Sequence, residues 1–301
     1  LLNFCFLFVS TNLYSQTKIN AFQYTSTKQI ECKNGAVVSA HPLASKVGLS
    51  ILQQGGNAID AAIATQLALA VVYPGAGNIG GGGFMVAHLT NGKNIAIDYR
   101  EKAPEKATRD MYLDAQENPI TKKSLDGASA SGIPGSVAGM IATHAYAKLS
   151  LAKLIEPAIE LAEYGHALTE KEASSLNSVK GELLKLSSAP SAYTKKTKWM
   201  KGDTIFQPEL AATLRRIQQN GLAGFYEGIT AELIVKEMAN GSGIISTTDL
   251  KNYQTKKRVP IEFDYKNHHV ISFAPPSSGG ILIAQMMKMI APFDIAKMGY
   301  Q

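Results

Sequence analysis

The run Ala58–Val72, AIDAAIATQLALAVV, constrains this chain more than any other segment. Asp60 is its only charged residue, and the remainder is small or apolar nearly all the way round. Asn57 ahead of it is a favourable N-cap, and Pro74 just past it cannot continue a helix. A helix with no polar face is buried on most of its sides. The fold must therefore wrap this helix with other elements. A chain of 301 residues, 45% hydrophobic and 18% charged, has the material to do so.

The flanking pattern supplies candidates for the wrapping. Gly35–Ala40 is a short apolar run expected as a buried strand. After His41-Pro42, Leu43, Val47 and Ile51 recur every four residues, as do Ala44, Gly48 and Leu52, and Gly55-Gly56 ends that helix. Downstream of Gly75–Gly83, two strands are expected, Phe84–Leu89 and Asn94–Tyr99. Asn91-Gly92 between them signals a tight type I′ turn. Ile95, Ile97 and Tyr99 fall on one face of the second strand, Ala96, Asp98 and Arg100 on the other. Further helices are expected over 136–148, 151–164, 168–186 with a polar interruption, 209–220, 230–239 and 281–290, and a helical turn over 107–113. A short turn can open at Thr248-Asp249, and strands are expected over 260–265 and 269–273. The sum is an α-rich α/β fold.

Several function classes lack support. The net charge is +6, but the basic residues are scattered, with clusters at Lys122-Lys123, Lys195-Lys196 and Lys256-Lys257-Arg258 that read as solvated faces rather than a nucleic-acid stripe. Gly75, Gly77 and Gly80 spell G-x-G-x-x-G, yet a helix precedes them and a strand follows, the reverse of a dinucleotide site. The histidines (His41, His88, His144, His166, His268, His269) have no metal-ligand spacing, so no metal and no cofactor are expected. Ser277-Ser278-Gly279 offers hydroxyls with no identifiable base and reads as a loop.

The N-terminus, LLNFCFLFVSTNLYSQ, is apolar through Val9 and then polar. Residues 1–15 resemble a clipped secretory signal, too short to span a bilayer, and residues 16–34 an N-terminal arm. A periplasmic or secreted protein follows. Of the two cysteines, Cys5 lies in that leader, which leaves Cys32 alone in the mature chain. No other segment reads as a membrane span.

Two features remain open on the residues alone. Gly80–Gly83 can serve a tight crossing of buried elements or the wall of a substrate site. Arg100, beside Asp98 and Glu101, can be a structural ion-pair partner or a forked cation for a substrate carboxylate.

Five stretches carry a resemblance that bears on both. They are HPLASKVGLSILQQGGNAIDAAIAT (His41–Thr65), GNIGGGGFMVAH (Gly77–His88), DYREKAPEKATRDMYLD (Asp98–Asp114), GIPGSVAGM (Gly132–Met140), and DLKNYQ with the APPSSGG loop (Asp249–Gly280). In this order they resemble the γ-glutamyltransferases, N-terminal-nucleophile hydrolases. The resemblance implies a four-layer α/β/β/α sandwich, incomplete in this chain, with residues 35–301 as part of the large subunit. It implies a precursor that cuts itself to expose a Thr, whose hydroxyl attacks the γ-glutamyl amide of glutathione and related compounds while its α-amine serves as base. Water, an amino acid or a peptide then accepts the acyl group. It implies a small subunit from the same precursor as partner, and no nucleic acid. The Arg of the family's D-[FY]-R-E stretch binds the substrate α-carboxylate, and Arg100 occupies that position. No catalytic residue is expected within the chain: it stops at Gln301, ahead of the Thr segment, and is expected to be inactive alone. Tyr73-Pro74-Gly75-Ala76 departs from the family's acidic-Pro pattern, which leaves acceptor choice open. The alternatives are a non-catalytic binding protein of this fold and a glutaryl-type acylase of the same superfamily.

Overall fold

The computed structural model describes Asn20, Gln29 and residues 31–298. The expected signal over 1–15 lies outside the described residues, as does most of the arm over 16–34. Helix α1 (Pro42–Gln53) starts with Pro at its first position, and the His41 ring accepts the Leu43 N–H at 3.2 Å. Helix α2 (Ala58–Val72) opens on a capping box: the Asn57 side chain accepts from Ile59 and Asp60, and the Asp60 carboxylate accepts the Asn57 N–H. Strands β1 (Phe84–His88) and β2 (Asn94–Asp98) form a hairpin. Short helix α3 (Thr121–Leu125) precedes α4 (Ser136–His144) and α5 (Leu151–Tyr164). Strand β3 (His166–Ala167), α6 (Glu170–Leu186), β4 (Thr204–Ile205), α7 (Pro208–Asn220), α8 (Ala223–Tyr226), α9 (Gly228–Asn240) and α10 (Thr247–Lys251) follow. Strands β5 (Lys256–Arg258), β6 (Ile261–Tyr265) and β7 (His268–Ser272) and helices α11 (Gly279–Ile290) and α12 (Ile295–Met298) complete the order.

Helix α2 is wrapped as its sequence demands. Eleven of its residues are buried, with Ala64, Ala68 and Val71 fully so. Helix α1 packs along it, where a Cβ on Gly48 would lie 2.2 Å from Thr65 Oγ1. Helices α4 and α5 close other sides, and α7 packs on α5. Each fully buried Leu or Ile in this core contributes roughly 1.5–3 kcal/mol by leaving water. Asp60 is the buried exception: its carboxylate also accepts N–H groups from Lys148 (3.0 and 3.1 Å) and Leu149 (2.8 Å), pinning the loop after α4 to the start of α2.

One sheet is antiparallel in the order β1-β2-β5, so β2 is central. Helix α4 lies against β2 so closely that a Cβ on Gly139 would fall 2.2 Å from the Tyr99 ring. The β6–β7 hairpin is joined to β1 and β2 by the Phe84–Phe273 ring contact (4.4 Å) and an Asn94–Glu262 hydrogen bond (2.9 Å), and α11 packs on β6 and β7. Helices, sheet, second sheet and helix thus succeed one another, the expected α/β/β/α order.

Local departures have physical causes. Gly35–Ala40 forms no strand: it runs without a ladder partner, and Val38 is 89% exposed. The hairpin turn spans Thr90-Asn91-Gly92 with only Gly92 at positive φ, and Leu89 pairs with Lys93, so the three-residue loop replaces the expected type I′ turn. Residues 107–113 make successive turns, not a helix, and the residues ahead of Leu151 are not helical past His144. Helix α6 runs without interruption. Lys256–Arg258, read as a solvated charge cluster, is a strand paired with β2.

Among the described residues no helix is long and apolar enough to cross a membrane, and no cluster of His, Cys, Asp and Glu could hold a metal. Cys32 is free and exposed.

Candidate substrate site

Arg100 is the second residue past the end of β2. The ladder closes at Phe84–Asp98 and is extended by Gly83 and Tyr99, which exchange backbone hydrogen bonds (3.0 and 3.3 Å). Arg100 itself has no strand partner, and side chains satisfy its backbone instead. Its N–H donates to Asp98 Oδ1 at 3.0 Å, and its carbonyl accepts from the Tyr253 hydroxyl at 2.8 Å. Burial first, then the nearby Asp98 and Glu101 charges, push the Tyr253 hydroxyl up to about 12, so it remains a phenol and a donor at neutral pH.

The Arg100 side chain is 55% exposed. Its guanidinium sits 5.7 Å above the Phe84 ring, which packs in turn on Phe273. Nε lies 3.2 Å from Glu101 Oε2, an ion-pair distance without hydrogen-bond alignment, so that oxygen is buried and makes no hydrogen bond. Among the described residues neither terminal nitrogen of Arg100 is hydrogen-bonded. The fork is therefore braced along one edge and open at its tip, the arrangement that suits a carboxylate.

Asp98, expected beside Arg100 as its acidic neighbour, is committed elsewhere. Its Oδ2 accepts from Arg258 Nη2 at 2.7 Å and Nε at 3.1 Å. Of the two acidic neighbours only Glu101 pairs with Arg100. Lys102, two residues on, donates to the Gln254 carbonyl at 2.7 Å over the Tyr253 ring; burial and Lys256 both lower its affinity for a proton.

The glycine run answers its open question mainly as a crossing. A Cβ on Gly82 would stand 2.5 Å from the Tyr99 carbonyl and 2.9 Å from Arg100 Cα, and one on Gly83 2.8 Å from the Tyr99 ring. Gly80 has open space around its Cβ direction. The run thus presses its backbone against the segment that carries Arg100. A shallow depression of about 250 Å³ adjoins it, lined by Tyr73, Asn78, Gly82 and Ser136 among others. A wider depression, about 960 Å³, lies between residues 34–39 and helices α1 and α2 and has no charged residue in its lining. Volume alone does not mark the site; the charges gather at the end of β2. Ser277 accepts the Gly279 N–H at 3.3 Å within the loop before α11, and Ser278 makes no cap bond.

Of the residues singled out from the sequence, Arg100 is placed as expected at a strand end. Phe84 comes from the neighbouring hairpin strand, whereas Tyr253 and Arg258 reach the site from more than 150 residues away and carry no local signal of it. Tyr253 sits in the DLKNYQ stretch, and Arg258 in the basic cluster ahead of Pro260.

A family description, Gamma-glutamyltranspeptidase, matches residues 44–301. The glutathione hydrolase proenzyme of Escherichia coli (strain K12) is 44% identical over 274 residues, 90% of this chain and 47% of that protein. That of Pseudomonas sp. (strain A14) is 44% identical over 278 residues, 91% and 48%. The crystal structure of Helicobacter pylori gamma-glutamyltranspeptidase superposes with a TM-score of 0.86 at 46% identity, covering 90% of this chain and 79% of that one. The chain spans about half the length of the curated relatives it matches.

Proposed function

Because this chain belongs to the γ-glutamyltranspeptidase family, we propose that it forms the substrate-carboxylate half of an enzyme that transfers or hydrolyses γ-glutamyl groups, with glutathione among its substrates. The observation that carries this reading is the Arg100 guanidinium, braced by Phe84 and Glu101 and open at its terminal nitrogens. It binds the α-carboxylate of the γ-glutamyl group by a charge-assisted, two-pronged contact. Residues 35–301 belong to the large subunit of a precursor, and the remainder of that precursor supplies the Thr nucleophile and the donors for the tetrahedral oxyanion. The acyl-enzyme passes to water or to an amino acid or peptide acceptor. The protein acts in the periplasm or outside the cell.

The test uses the complete gene product that contains this chain. Self-cleavage and release of p-nitroaniline from γ-glutamyl-p-nitroanilide support the reading. Arg100→Ala should raise KM roughly 10- to 100-fold, the loss of one charge-assisted contact of about 1.5–3 kcal/mol, and leave kcat closer to the parent. Absence of both cleavage and activity would point to a binding protein of the same fold. Faster release from glutaryl- than from γ-glutamyl-p-nitroanilide would point to an acylase.

A further inference from the structure

We propose that the Asp98–Arg258 ion pair is a positioning element for Arg100, and that through it strand β5 sets discrimination for substrates bearing a carboxylate; this rests on the reading of Arg100 given above.

Asp98 is 7% exposed. A buried carboxylate is costly to keep unless its oxygens are satisfied. Here the two oxygens do separate jobs. Oδ2 takes two nitrogens of the Arg258 guanidinium, and Oδ1 takes the Arg100 N–H. Arg258 is itself held in register, opposite Ala96 on β2. The carboxylate therefore has one orientation, fixed by a fork on one side and by the strand on the other. Since Arg100 lies past the ladder, its backbone direction depends on that orientation and on the Tyr253 hydroxyl at its carbonyl. Removing the Arg258 fork frees the Asp98 carboxylate to turn toward the solvent or toward the Arg100 guanidinium. In either case the fork at Arg100 is no longer aimed where it was. Neither Asp98 nor Arg258 needs to touch substrate for this, so both are positioning residues.

The experiment compares γ-glutamyl-p-nitroanilide with γ-aminobutyryl-p-nitroanilide, which keeps the amine and lacks the carboxylate. The complete gene product is used, with Arg258→Gln and Asp98→Asn, alone and in the Arg100→Ala background. A purely structural role lowers both substrates alike. A positioning role raises KM for the γ-glutamyl substrate about tenfold, leaves its kcat within about threefold, and lowers the ratio of the two kcat/KM values by about the same tenfold. In the Arg100→Ala background the second substitution then changes the ratio by less than about twofold, because the group being aimed is gone. An unchanged ratio in the singly substituted proteins overturns the proposal. If Arg258→Gln does not mature, Arg258→Lys carries the comparison, since it keeps the charge and cannot supply the fork. Failure of both to mature, where Arg100→Ala matures, makes the pair a folding element and also overturns it. An unsubstituted protein inactive on γ-glutamyl-p-nitroanilide sinks the functional reading and takes this proposal with it.

Discussion

Gly82→Ala is the sharpest probe of how the glycine run supports Arg100. The added Cβ would stand 2.5 Å from the Tyr99 carbonyl oxygen, 2.8 Å from the Glu101 nitrogen and 2.9 Å from Arg100 Cα. Ordinary contacts are about 3.5 Å, so the two backbones must part by about 0.5–1 Å. All three neighbours are main-chain atoms, so no rotamer change relieves the overlap. The next residues, Gly83 and Tyr99, are tied by two hydrogen bonds that resist the separation. Overpacking of this kind costs about 1–3 kcal/mol, and misplacing a substrate-holding group by about 1 Å can cost as much as 100-fold in rate. Gly80→Ala is the internal control. Its Cβ meets nothing within 4 Å, and restricting the unfolded chain should make that substitution neutral or stabilising by up to about 1 kcal/mol. Thermal unfolding and γ-glutamyl-p-nitroanilide kinetics on the complete protein give both numbers. Gly82→Ala should lower Tm and raise KM, while Gly80→Ala should do neither. Identical behaviour of the two variants would refute the claim that the run presses on the Arg100 segment.

Two further predictions concern stability away from the site. Asp60→Ala removes a fully buried carboxylate and leaves the N–H groups of Asn57, Lys148 and Leu149 without their acceptor, and should cost about 3 kcal/mol, read as a lower urea midpoint at constant slope; a loss under about 1 kcal/mol would contradict it. His166 is 2% exposed, and burial, then the neighbouring His41, lower its pKa to about 4, from 6.5 in the unfolded chain. The unfolded state therefore binds the proton first. The contribution of His166 should be level above pH 6.5, fall as the pH drops from 6.5 to 4, and cost on the order of 3 kcal/mol over that window. Glu172, which burial would raise but hydrogen bonds from His41 and Thr169 hold at about 2, contributes stability that is lost only as the pH falls from 4.5 to 2. His166→Gln should flatten the limb between pH 6.5 and 4.5 in a urea titration series, and an unaltered slope there would count against the assignment.

What could be read from the sequence was local. Helix α2 carries its own N-cap and is apolar nearly all round, α5 carries a periodic apolar face, and both have the expected boundaries. The β1–β2 hairpin was legible because its strands are adjacent and joined by Asn91-Gly92, although the turn type was not. Gly35–Ala40 has a strand's composition, but a strand is defined by its partner, and Val38 faces solvent. Strand β5 has the composition of a solvated face, and its pairing with β2 across more than 150 residues is invisible to any local pattern. The same distance hides Tyr253 and Arg258 from a reading centred on Arg100. Arg100 itself stands out only through the DYRE stretch; as an arginine beside two acids it reads more readily as an ion-pair partner.

The separation between Asp98 and Arg258, 160 residues, also has a consequence in time. A ribosome adding about 5–20 residues per second leaves the Asp98 carboxylate without its cation for roughly 8–30 s after it is made. The β1–β2 hairpin is local and closes in about 1–10 μs once both strands have emerged, so β2 spends that interval with one edge paired and the other open for β5. An edge in that condition is a template for other chains. A nascent chain therefore carries Arg100 and Asp98 early and acquires the side chains that hold them, Tyr253 and Arg258, only near the end of this stretch of synthesis.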